Sequence, residues 1–232
     1  MTQPPAPKRS VTVAQIIGLL LAMGVPALII WLRTVGLAPA ALIEQRLVST
    51  VAFWGVGVLL LFWVTMAEQR PLASIGLGRP TLNALGWGVA AGIAFTVALM
   101  GFDWATVALH LVPAPTPPAA DADLTTLPLA MRAVLVVTSG FAEELLFIGY
   151  PIARLLEITR SRWISALITC LAFVALHIPG RTPADLVNVA FAAALFSVLF
   201  LWRKSLWTNI VAHTVVDLTP LIIAPFFGPS GG

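Results

Sequence analysis

Between residues 12 and 226 the sequence is a succession of apolar runs, most of them as long as a bilayer is thick. A spanning helix needs about 20 predominantly apolar residues, because unpaired backbone groups are not tolerated in hydrocarbon. Seven runs meet or approach that length: 12–32, 48–66, 82–111, 130–153, 163–178, 185–202 and 206–226. The third is long enough to tilt or to end in an interfacial turn. The chain is 59% hydrophobic and 10% charged, with a mean hydropathy of +0.96, against about 25% charged residues in an ordinary soluble domain. Such a chain cannot cover itself with a polar surface. The expectation is an all-α, polytopic transmembrane helical bundle of about seven spans, six to eight being compatible. Residues 1–11 read as a cytoplasmic tail and 12–226 as a single transmembrane domain, with no internal repeat.

The formal net charge of +3 then reports topology rather than nucleic-acid binding. With the N-terminus in the cytoplasm, the cytoplasmic segments hold Lys8, Arg9, Arg70, Arg79, Arg154, Arg160, Arg162, Arg203 and Lys204. The outer segments hold Arg33, Arg46, Arg132 and Arg181, which satisfies the positive-inside rule. The run after the tail is too long for a signal-peptide core, so it reads as a retained first span. The linker "EQRPLASIGLGRP" reads as interfacial, and the Pro-rich outer loop "VPAPTPPAADADLTTLP" as irregular. Trp163, Trp202 and Trp207 fit an interfacial belt, whereas Trp54 and Trp63 fit packing equally well. Cys170 is the single cysteine and reads as a buried apolar residue.

Ionisable groups inside the spans are the informative exceptions. Each costs roughly 2.5–3.5 kcal/mol on insertion scales, and such groups usually face a bundle interior or a wet cavity. The later spans hold Glu143 and Glu144 in the fourth, His177 at the end of the fifth, Asn188 in the sixth, and Asn209, His213 and Asp217 in the seventh. In "NIVAHTVVD" the last three are four apart, and so share a helix face. Asp217 is placed to orient His213. A polar stripe also glues helices together without chemistry, and for Asn209 alone that is the expected role. In "TSGFAEE", Ser139 and Gly140 allow close helix approach. On an α-helix Glu143 and Glu144 point about 100° apart, so one is expected to face the site while the other orients partners. His177 by itself reads as interfacial or structural, as does His110.

Together these groups suit the activation of water. Glu143 would take its proton, with His177 sharing it, and His213, oriented by Asp217, would stabilise an oxyanion. A zinc version would use His177, His213 and Glu143 or Asp217 as ligands, although the H-E-x-x-H signature is absent. No serine or cysteine is paired with a base in sequence.

"EELLFIGY", "FVALH" and "HTVVD" resemble the three motifs of the CPBP family, the CAAX-protease and bacteriocin-processing (Abi) intramembrane endopeptidases. That family reads Glu-Glu-x-x-x-Arg, Phe-x-x-x-His and His-x-x-x-Asn or Asp on successive helices. The resemblance covers residues 130–220. It implies an intramembrane endopeptidase that cuts near the C-terminus of a membrane-associated peptide or protein, lipidated ones included. It implies that Glu143, Glu144, His177, His213 and Asp217 are catalytic, with Phe173 and Asn209 in support. Membrane lipids are the expected surroundings, a bacterial inner membrane the expected location, and Zn2+ a possible cofactor. The chain departs at one position: the motif arginine falls at Ile148. Without it, Glu144 must stay protonated or find another base. Arg154 is expected to lie on a different face, unless Pro151 kinks the helix. The departure keeps a second expectation open, an inactive scaffold or immunity-type protein of the same fold. A proton-coupled transporter ranks below both, since it would want repeats and discontinuous helices.

Overall fold

The computed structural model describes residues 13–34, 36, 42–112, 124–179 and 181–227. The proposed tail and most of the Pro-rich loop lie outside them. Among the described residues every regular element is helical. Six helices are long and apolar enough to cross a membrane. These are α1 (Val13–Leu32), α2 (Leu42–Met66), α3 (Leu82–Ala108), α4 (Leu129–Thr159), α6 (Pro183–Arg203) and α7 (Leu206–Phe226). Between α4 and α6 lies the shorter apolar α5 (Arg162–His177). The expected helical bundle is therefore the one observed, and the protein is an integral membrane protein.

Local chemistry sets the helix starts. Thr81, Ser161 and Ser205 each cap a helix by accepting a bond from the backbone N–H three residues on, at 3.1, 3.3 and 3.4 Å. Thr182 and Asp185 form a reciprocal capping box ahead of α6. Arg160 and Lys204 adopt left-handed backbone conformations with φ of 55° and 52°. Each ends its helix and lets the next start within two residues, so α4–α5 and α6–α7 are tight hairpins.

Helix α7 is sandwiched between α3 and α4. On α3, Ala84, Gly88 and Gly92 form one buried row. A Cβ at Gly88 would come within 2.6 Å of Val211 Cβ and 2.9 Å of the Thr208 carbonyl, and Gly92 meets Val215 and Ala212 in the same way. The two backbones approach closely because these positions have no side chain, and Thr208 Oγ1 donates to the Ala84 carbonyl at 3.2 Å. The linker between α2 and α3 is not a free interfacial segment. Its short 3-10 helix, Leu72–Ile75, buries Ile75. Gly76, at φ +81° and against the Phe200 ring, accepts a bond from Leu206 N at 2.8 Å.

Helix α4 runs further than the 130–153 read from sequence, and this changes the standing of Arg154. Instead of ending a span, Arg154 is completely buried. Its guanidinium donates to Glu68 Oε2 through Nε (2.9 Å) and Nη2 (2.6 Å), and to Ser74 Oγ at 2.9 Å. Tyr150 donates to the other Glu68 oxygen at 2.7 Å. Glu157 takes Gln15 and Arg70, both at 2.7 Å. Helices α1, α2, α4 and the linker are thus pinned at one membrane edge by a network that leaves neither partner of the central pair uncompensated. Arg154→Ala is expected to lower unfolding free energy by roughly 3–5 kcal/mol, because Glu68 would remain buried without its counter-ion. Arg70→Ala at the exposed rim should cost about 1 kcal/mol or less. Equilibrium unfolding in detergent micelles measures both.

Candidate functional site

Residues Ser139–Gly149 of α4, both glutamates included, form a π-helix. Here the structure differs from the α-helical expectation. π turns bond i to i+5 and favour functional sites. In this wider turn residues five apart fall on one side of the helix rather than far apart as on an α-helix: Ser139, Glu144 and Gly149. All three meet α7, which runs antiparallel. Ser139 Oγ donates to Asp217 Oδ2 in a very short contact. Glu144 meets Asn209 and His213, and Leu206 lies against Gly149. A five-residue π repeat on one helix thus matches a four-residue α repeat on the other. The α-helical spacing of 100° between the two glutamates does not apply here, but the division of labour between them does.

Glu144 is 1% exposed. Its Oε2 accepts from Asn209 Nδ2 at 3.0 Å, and its Oε1 from His213 Nδ1 at 2.8 Å. The second N–H of the Asn209 amide goes to the Phe196 carbonyl at 2.9 Å. The His213 ring stacks on Phe196, with centroids 4.6 Å apart and planes at 19°, so α6 holds the face of the ring while α4 holds its edge. On the far side His213 Nε2 is 3.7 Å from Asp217 Oδ2, beyond hydrogen-bond length. The orienting partner of His213 is therefore chiefly Glu144, where the helical spacing alone pointed to Asp217.

Glu143 is only half-buried and forms no hydrogen bond with the described residues. Its carboxyl is within electrostatic reach of His213, His177, Asp217 and Glu144, so the acids of α4 and the histidines of α5 and α7 share one neighbourhood. His177 Nδ1 is 2.8 Å from the Phe173 carbonyl, and its ring packs on that phenyl group at 4.7 Å. A carbonyl accepts, so Nδ1 carries the proton and Nε2 keeps its lone pair. Asn188 joins none of these bonds.

Ile148 occupies the motif-arginine position, 1% exposed in the apolar core. Arg154, fully engaged by Glu68 and Ser74, does not take over. The donors that serve Glu144 are Asn209 and His213. Among the described residues no three His, Cys, Asp or Glu side chains form a group able to hold a metal ion. No step is assigned to a zinc ion.

Sequence reasoning did not single out Ser139 as a polar partner, since the α-helical period puts it on a different face from Glu144. Nor did it find the Glu68–Tyr150–Arg154 network, whose members are far apart in the chain. The five-residue interval from Ser139 to Glu144 was visible but had no meaning without the π turn.

A helical membrane bundle that buries a glutamate, an asparagine and a histidine in mutual contact, with a second glutamate beside them, is of the polar-site intramembrane class. A family model described as type II CAAX prenyl endopeptidase Rce1-like matches residues 125–219, which hold all three motifs. Over that segment, somewhat less than half of the chain, the protein is similar to the Rce1-like type of CAAX endopeptidase, and the helical membrane bundle is consistent with that likeness. No curated protein and no solved structure matches.

Asn209→Leu keeps the volume but removes the donor to Glu144 Oε2. It is expected to destabilise the protein by about 1–3 kcal/mol, the cost of an unsatisfied buried acceptor. Unfolding midpoints for Asn209→Leu, and for Asn209→Leu with Glu144→Leu, check this. The double variant should recover part of the loss.

Proposed function

We propose that this chain is an intramembrane endopeptidase of the CAAX-protease type. It would hydrolyse a peptide bond near the C-terminus of a membrane-associated substrate, with an isoprenylated peptide as the first class to try. The observation that carries this reading is the asymmetry of the two acids. Glu144 is locked onto Asn209 and His213, while adjacent Glu143 is unbonded and within electrostatic reach of His177 and His213.

Each role follows from a free atom. Glu143 accepts a proton from water as the oxygen attacks the scissile carbonyl, and later gives that proton to the departing amine. His177 Nε2 accepts the water's second hydrogen and orients it. His213 Nε2 stands nearest the developing oxyanion. Its own closest carboxylate is at 3.7 Å, so this N–H, when protonated, is available to the tetrahedral intermediate. Glu144 keeps the imidazole in place through Nδ1, and Ser139 keeps Asp217 at the edge of the site. We assign the protein to a bacterial inner membrane with its N-terminus in the cytoplasm. The support is the crowding of Arg70, Arg79, Arg154, Arg160, Arg162, Arg203 and Lys204 at one membrane edge.

One observation favours a second reading, a catalytically inactive scaffold of the same fold. The motif arginine is replaced by Ile148, buried among apolar side chains. The two readings part on Glu143→Gln. In proteoliposomes supplied with a fluorogenic isoprenylated peptide, the protease reading expects turnover by the wild type and a loss of about 10²–10⁴-fold in Glu143→Gln, the contribution of a positioned general base. Absence of turnover in the wild type, with the variant folding normally, supports the scaffold.

A further inference from the structure

At the membrane edge where α3 begins and α6 ends, a cluster of cations has no counter-charge. Arg203 is the last residue of α6. Its guanidinium lies over the rings of Trp87 and Trp202, 5.1 and 5.2 Å from the centroids, and those rings meet edge to face at 5.1 Å. Its one protein acceptor is the neutral Asn83 Oδ1, at 2.7 Å. Arg203 Nε is buried with no partner. Among the described residues no carboxylate pairs with Arg203, Lys204 or Arg79. The third cation stands at the same corner, since Gly78, beside it, accepts a bond from Trp207 Nε1 at 2.7 Å. The nearby acids cannot answer: Glu68 and Glu157 are taken by Arg154, Arg70, Tyr150 and Gln15.

The same residues open onto a groove. Asn83, Gly86, Trp87 and Ala90 line a concavity of about 320 Å³ on the outer face of α3. Nothing lies within 4 Å of where a Cβ on Gly86 would stand. From Asn83 to Ala90 the groove descends roughly 10 Å into the apolar layer, at 1.5 Å per residue. It is polar at its mouth and apolar below. A guanidinium flanked by aromatic rings presents its N–H fork to phosphate oxygens.

We propose that this corner is a binding site for an anionic glycerophospholipid, with the headgroup phosphate on Arg203 and one acyl chain along Gly86 and Ala90. Charge complementarity selects the occupant. A zwitterionic lipid brings its own cation to a mouth that already holds three, whereas an anionic one neutralises them. The proposal does not depend on the protease reading.

The test uses the intact protein in phosphatidylcholine nanodiscs doped with a minor fraction of lipid brominated on its chains, which quenches tryptophan on contact. Brominated phosphatidylglycerol is expected to quench with about fivefold higher apparent affinity than brominated phosphatidylcholine, the effect of one added cation at an anionic surface. Trp87→Phe should remove most of the preferential quenching. Arg203→Gln should abolish the preference and Arg203→Lys should keep most of it, which separates loss of charge from misfolding. Equal quenching by the two lipids, or an undiminished preference in Arg203→Gln, overturns the proposal. So does displacement of the brominated lipid by inorganic phosphate, which would make this a site for the free anion.

Discussion

Burying a carboxylate among apolar helices costs several kcal/mol unless donors meet its oxygens. For Glu144 those donors come from a different helix, α7. Asn209 and His213 each supply one N–H, and each is fixed in turn by Phe196 of α6, one through the backbone carbonyl and the other through the ring face. Remove the acid and two polar side chains of α7 lose their partners. Remove α7 and the acid has none. The relative height and rotation of α4, α6 and α7 are thus set by one hydrogen-bonded group, and the apolar packing has to accommodate it.

The π-helix makes this accommodation possible. An α-helical α4 would turn Ser139 away from Glu144, and only one of them would reach α7. The wider turn places Ser139, Glu144 and Gly149 on one line, so three successive levels of α4 meet Asp217, His213 with Asn209, and Leu206. It also leaves Glu143 off that line, free of the bonds that immobilise its neighbour. One backbone irregularity both builds the scaffold and releases the side chain to which a chemical role is assigned. The smaller surfaces follow the same logic, with Gly88 and Gly92 admitting α7 close to α3.

How far the sequence could be read depended on whether a signal was periodic or pairwise. Span lengths follow from the thickness of hydrocarbon, so six long helices and a short seventh stand close to the boundaries that apolar runs define. The stripe Asn209, His213 and Asp217 is periodic, and its turn toward α4 follows from the cost of facing lipid. That two adjacent acids would divide into a held one and a free one was legible from the fact that neighbours cannot share a face. Which partner holds His213 was not, because Glu144 and Asp217 both lie within reach and only the π register favours the first. Arg154 was misread as the polar end of a span because burial of a guanidinium depends on Glu68 and Ser74, some eighty residues earlier, and no local pattern announces such a pairing. Ile148 was legible as a gap; that Asn209 and His213 fill it was a matter of geometry.

The Arg154–Glu68 pair and the Glu144–Asn209–His213 cluster divide α4 between an early and a late helix, which bears on how the chain enters the membrane. As α4 leaves the ribosome, Glu68 has already been made, so its lower half can be neutralised at once. The Glu144 half has no partner until α7 has been synthesised. During that interval the two adjacent acids of α4 face an unfinished bundle, and the site comes into being only when α7 arrives. A chain cut short before Asn209 would keep its anchor and never acquire its centre.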